Sequence, residues 1–123
     1  GEAELYKLDY HREQLTDCRL FLATNTNAFL YDYYRSPRFL PSGESLESYF
    51  ERCYASHLLH MKKPDPRFYR LILEENGLNP RETIYIDDRE ENVRAASQLG
   101  MRTLRPMNGS DWRSDLEKLR RHE

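Results

Sequence analysis

Apolar positions in this chain follow two rhythms, short unbroken runs and stripes spaced three or four residues apart, and the rhythm assigns each segment. Leu5, Leu8 and Leu15 share one face and predict a helix over 3–15. "CRLFLATN" holds Leu20, Phe21 and Leu22 in succession and predicts a buried strand. Thr24 to Thr26 offer capping side chains for a helix over "NAFLYDYYR", where Phe29, Leu30 and Tyr33 recur at helical spacing. "SPRFLPSGES" is a loop by its Pro, Ser and Gly content. A short helix over 46–50 and a brief strand in "RCYAS" follow, and "HLLHMKKP" reads as irregular.

The second half is more regular. Asp65 caps a helix with Pro66 at its first position and Phe68, Leu71 and Ile72 in one stripe, and Gly77 closes it in the left-handed conformation. "TIYID" is a strand, "REENVRAASQL" a helix ended by Gly100, and "MRTLR" another strand. A last helix, capped by Ser110 or Asp111, runs to about 120. Strands alternating with helices of this length imply a parallel sheet covered on both faces, an α/β/α arrangement of three layers. There is no internal repeat or low-complexity stretch.

Composition narrows the classes of function. A chain of 123 residues supports one domain with a modest core, and 38% apolar against 33% charged residues is polar for a globular chain without being disordered in character. The net charge of −2 comes from interspersed signs, so no basic face offers itself to nucleic acid. No apolar run approaches membrane-spanning length and no signal-peptide pattern is present, which argues against a membrane partner. Cys18 and Cys53 lack a paired spacing, so reduced thiols in a cytoplasmic protein are expected.

In an open α/β sheet, ligands bind beyond the carboxyl ends of the strands, where helix N-termini present N–H groups. Thr24 and Asn25 follow the first predicted strand, Lys63 lies in the loop after the second, and Asp87 and Asp88 follow the third. Adjacent carboxylates raise each other's ionisation cost unless a cation or donors compensate. A hydroxyl with backbone amides, an ammonium and two acids make a site for a phosphoryl group with Mg²⁺, which prefers one or two carboxylates plus phosphate and water.

"FLATNTN", "MKKPDPRFY" and "YIDDREENVRAASQLGMRTL" resemble, in order and spacing, the second, third and fourth motifs of the haloacid dehalogenase-like hydrolases. The resemblance covers about 20–103, and "TNTN" is most similar to the sugar-phosphate phosphatase branch. It implies an α/β/α Rossmann-like core and a role for each matched position. Thr24, with the amide of Asn25, would hold oxygens of the transferring phosphoryl group. Lys63 would neutralise that group and the nucleophile, Asp88 would ligate Mg²⁺, and Asp87 would be a second or water-mediated ligand. The implied substrate is a small phosphorylated metabolite.

One departure stands out. The family's first motif, an Asp-x-Asp ending a first strand, supplies the nucleophile that becomes an aspartyl-phosphate and a general acid–base. No Asp-x-Asp occurs in this sequence, and "LDYH" at 8–11 lacks the second aspartate. The cap domain that sets specificity is absent as well. The chain therefore reads as the C-terminal part of a HAD-like core domain, residues 1–123, from a trimmed form, a proteolytic product or an incomplete reading of the gene. Alone, it is expected not to turn over substrate. The missing strand belongs between the strands carrying Thr24 and Asp87. Of direct pairing across the gap, a second molecule of a homodimer, or a retained N-terminal fragment, the last two are expected, because closing the gap would mismatch the helices.

Simpler roles compete at each position. Asp88 could cap the next helix, with Glu91 completing a capping box, although that leaves Asp87 unexplained. Thr24 could be only a cap, and Lys63 only a solvated lysine, as Lys62 is expected to be. His57 and His60 have the spacing of a zinc pair but no matching cysteines, so zinc is not expected. "YDYYR" at 31–35 reads as a half-buried helix and "SDLEKLRRHE" as a solvated one. Two rival functions remain: a non-catalytic binding or scaffold domain of this fold, and a metal-free 2-haloacid dehalogenase, against which the adjacent acids argue.

Overall fold

Four short strands among the described residues pair in parallel, two by two. The computed structural model describes residues 18–25, 46–106 and 112–121. They fall into two units, divided between Lys62 and Lys63. The helices expected over 3–15 and in "NAFLYDYYR", the "SPRFLPSGES" loop and the caps Thr26, Ser110 and Asp111 lie outside the described residues.

In the first unit, β1 (Phe21–Thr24) pairs with β2 (Arg52–Ala55), from Phe21 opposite Arg52 to Thr24 opposite Ala55. The Glu51 amide donates to the Leu20 carbonyl at 2.7 Å and begins the ladder. Beside it, the Arg19 guanidinium grips the Glu51 carboxylate at 2.7 and 3.0 Å and lies 5.3 Å from the centre of the Phe21 ring. The helical segment predicted at 46–50 is a 3₁₀ turn, Leu46–Tyr49. "HLLHMKKP" is not wholly irregular as expected: Ser56–Leu59 forms one helical turn, α1. His60, at φ 55°, closes it by donating its amide to the Ser56 carbonyl at 3.0 Å.

In the second unit, α2 (Pro66–Glu75) begins as predicted. The Asp65 side chain accepts from the Arg67 amide at 2.9 Å, and Pro66, which has no N–H to leave unpaired, takes the first position. Its end is a double bond of the Schellman type, with Gly77 N to Glu74 O at 3.3 Å and Leu78 N to Leu73 O at 2.8 Å. Gly77 supplies the positive φ of 62° that this turn needs. A 3₁₀ turn, Pro80–Glu82, leads into β3 (Ile84–Ile86), then α3 (Glu90–Gln98), β4 (Arg102–Leu104) and α4 (Arg113–Arg120). β3 and β4 run in register from Ile84 opposite Arg102 to Ile86 opposite Leu104, and Asp87 N to Leu104 O at 3.2 Å extends the pairing.

Tyr69 and Leu73 of α2, Ala96 of α3 and Met101 form the buried cluster of this unit, with Leu78, Tyr85, Ala95 and Leu99 packed against it. Helix α4 buries Leu116 and the preceding Trp112, and Arg102 of β4 donates to the Leu119 carbonyl. Trp112, without a side-chain capping bond, takes the position expected of Ser110 or Asp111. Helices interleaved with parallel strands make this an α/β chain, as the periodicity predicts. No helix of the described residues is long and apolar enough to cross a membrane.

Candidate active site

Parallel pairing sends the carboxyl ends of β3 and β4 the same way, and the turn after β3 lies there. Tyr85 and Asp87 are two apart on extended backbone, so both side chains project to one face. The Tyr85 hydroxyl donates to Asp87 Oδ2 at 2.6 Å. Two further donors reach that oxygen, Lys63 Nζ at 3.0 Å and Asn92 Nδ2 at 3.0 Å. The other oxygen, Oδ1, accepts from the Arg89 amide at 2.9 Å. Lys63 and Asp87 are brought together, and their side chains are only 13% and 7% exposed.

Burial works against the Asp87 charge, yet the Tyr85 hydroxyl, the Arg89 amide and the Lys63 ammonium outweigh it and hold the carboxyl at about 2. Burial, and the negative charge it donates to, push the Tyr85 phenol well above its ordinary value. Behind this group, the Tyr69 and Tyr85 rings meet edge to face at 5.2 Å, and the Tyr69 hydroxyl donates to the carbonyl of buried Asn92 at 3.2 Å. Lys63 precedes Pro64 through a cis peptide.

Asp88 behaves differently. It does not cap α3: the capping position is Arg89, and no side chain makes a capping bond there. The turn is instead closed by Asp87, whose Oδ1 binds the amide two residues on, as Asx turns do. The capping reading of Asp88 is thereby corrected. Its side chain is exposed, and among the described residues no hydrogen bond or ion pair engages its carboxylate. Only its backbone carbonyl is held, by Arg105 Nε at 3.0 Å.

In the first unit, described by itself, Thr24 is the last residue of β1 and half-buried, and Asn25 immediately follows it and is exposed. Among the described residues no three His, Cys, Asp or Glu side chains come together as a cage for a metal. The donors fit Mg²⁺ nonetheless, since it is held by one or two carboxylates with water and phosphate, and Asp88 offers an unengaged carboxylate. Asp87 already accepts three donors on Oδ2 and one on Oδ1, so it is more fully engaged than Asp88. Tyr85, Asn92 and Arg105 are site residues that reading the sequence missed. The alternation of β3 was enough to pair Tyr85 with Asp87; nothing local pointed to the other two.

The model of the haloacid dehalogenase-like hydrolases matches residues 42–105, a range holding Lys63, Asp87 and Asp88. The chain belongs to that family. It is 34% identical over 116 residues to the D-ribitol-5-phosphate phosphatase of Bacteroides thetaiotaomicron, covering 94% of this chain and 56% of that protein. Among solved structures, a HAD-like family hydrolase from Porphyromonas gingivalis superposes with a TM-score of 0.92 at 39% identity, over 99% of this chain and 60% of the other. A HAD family enzyme from Bacteroides thetaiotaomicron, in complex with magnesium and inorganic phosphate, does so with a TM-score of 0.82 at 32% identity, over 93% of this chain and 58% of that one. The chain thus spans 56–60% of the length of these relatives. Similarity to a ribitol-phosphate phosphatase agrees with the sugar-phosphate branch that "TNTN" resembles.

Proposed function

We propose that this chain is the C-terminal part of the core of a Mg²⁺-dependent phosphatase. Its substrate is a small phosphorylated metabolite of the sugar or sugar-alcohol phosphate class. The observation that carries the reading is the division of labour after β3: Asp87 is bound to Lys63, Tyr85 and Asn92, and the Asp88 carboxylate is left for a cation. The family match and the magnesium and phosphate complex of a relative support it.

Lys63, with its stem buried and its Nζ fixed by Asp87, places a positive charge where phosphoryl oxygens gain charge during transfer. The likeness of "FLATNTN" to the family's second motif supports a phosphate-binding role for Thr24 and the amide of Asn25. Asp88 would hold Mg²⁺, with Asp87 acting behind it or through water. The bound ion supplies charge neutralisation and orients the phosphate. The nucleophilic aspartate comes from outside this sequence, which contains no Asp-x-Asp. Among the described residues β1 and β3 each pair with one strand. We therefore also propose that the strand bearing the nucleophile, from an N-terminal segment or a partner copy, completes the sheet. Thiols at Cys18 and Cys53 support a cytoplasmic setting.

The test is hydrolysis of a panel of pentitol, sugar and nucleotide phosphates by the 123-residue chain and by the protein extended upstream, with and without Mg²⁺. Activity confined to the extended form, dependent on Mg²⁺ and lost in Asp88→Asn, is expected. Turnover by the chain alone, or an extended form inactive towards every phosphate ester, would refute it.

A further inference from the structure

The turn between β3 and α3 has an unusual demand placed on it. Asp87 points to Lys63 while Asp88, the next residue, is exposed, and among the described residues no hydrogen bond or ion pair orients its carboxylate. The direction of that carboxylate is then set by the backbone of the turn. Three bonds hold the turn: Asp87 N donates to the Leu104 carbonyl at 3.2 Å, and the Asp88–Arg89 peptide is held at both ends, Arg89 N donating to Asp87 Oδ1 at 2.9 Å and Asp88 O accepting from Arg105 Nε at 3.0 Å. Arg105 immediately follows β4, so the strand alongside β3 supplies two of the three anchors, one of them through a side chain 17 residues away.

We propose that Arg105 is a positioning residue for the cation-binding carboxylate. By fixing the Asp88 carbonyl from the neighbouring strand it holds the turn in the one conformation that presents the Asp88 carboxylate beside the Lys63–Asp87 pair. The inference rests on the proposed reading of Asp88 as the Mg²⁺ ligand. A guanidinium serves here because its planar Nε donor has a fixed direction, which a lysine ammonium on a flexible stem does not reproduce. Its charge works the other way: a cation beside a metal site repels the metal. Charge and positioning therefore predict opposite signs for the loss of Arg105.

The experiment titrates Mn²⁺ into the 123-residue chain and follows paramagnetic broadening of backbone amides, a signal that reports weak binding. Amide hydrogen exchange at Asp88 and Arg89 is measured without metal. Binding in the parent that disappears in Asp88→Asn is expected. Arg105→Gln should weaken Mn²⁺ binding about threefold to tenfold, the worth of one hydrogen bond, and speed exchange at the turn. Arg105→Lys should fall with it although the charge is kept. Unchanged or tighter binding in Arg105→Gln, or parent-like binding in Arg105→Lys, would overturn the inference and leave the metal reading standing. A parent with no Asp88-dependent binding in either the chain or the protein extended upstream would overturn that reading, and the inference with it.

Discussion

Lys63 Nζ and Asp87 Oδ2 meet at 3.0 Å across 24 residues of sequence, joining the segment before α2 to the turn after β3. Both side chains are largely buried, so neither charge has water to fall back on. Breaking such a pair from one side costs about 3 kcal/mol. Lys63→Met should lower stability by that amount in urea denaturation. Lys63→Met with Asp87→Asn should recover part of it, since no buried charge is then stranded and the amide oxygen still accepts from the Arg89 amide. In the active, extended protein Lys63→Met should also reduce kcat/KM by about 100-fold or more, the scale of losing one donor to a developing oxyanion.

Tyr85→Phe removes one hydroxyl and keeps the ring against Tyr69. Its 2.6 Å bond runs to a charged oxygen, and such bonds are worth about 2 kcal/mol. Urea midpoints should fall accordingly with an unchanged slope, because the surface exposed on unfolding is the same. Loss of well under 1 kcal/mol would mean that Lys63 and Asn92 suffice to hold Asp87.

Acid should unfold the second unit through Asp87. The native carboxyl is held at about 2, below its ordinary value of 3.8. The group is ionised in both states above about pH 5 and its full contribution is present there. As pH falls below about 5 the unfolded chain takes up the proton first, and most of the stabilisation is lost by about pH 2. About 2 kcal/mol is at stake. Stability followed by circular dichroism from pH 6 to 2 should show this decline, and Asp87→Asn should remove that component of it.

Gly77 has nothing within 4 Å of where a Cβ would stand, so Gly77→Ala tests conformation without steric overlap. With φ at 62°, an alanine there costs about 1 kcal/mol, and Gly77→Asn should cost less. Thermal unfolding of the two variants checks the order.

What the sequence disclosed depended on how local the cause was. Asp65, Pro66, Gly77 and Gly100 act within a few residues of themselves, and the boundaries of α2 and the end of α3 fell where they indicated. Asp88 looked like a cap because it precedes a helix with Glu91 in the right place. Whether a side chain caps depends on where the chain leaves the strand, and the bond that the Asp87 amide donates to the Leu104 carbonyl carries the pairing one residue on. Motif spacing carried Lys63 to Asp87. Asn92 and Arg105 join the site only once α3 and β4 are packed beside β3, which no window of sequence displays.

The two oxygens of Asp87 face different masters: Oδ1 starts α3 through Arg89, and Oδ2 receives Lys63. Helix initiation and ammonium placement are thus welded into one carboxylate. Any change that frees the lysine by truncating this side chain also removes the acceptor at the start of α3.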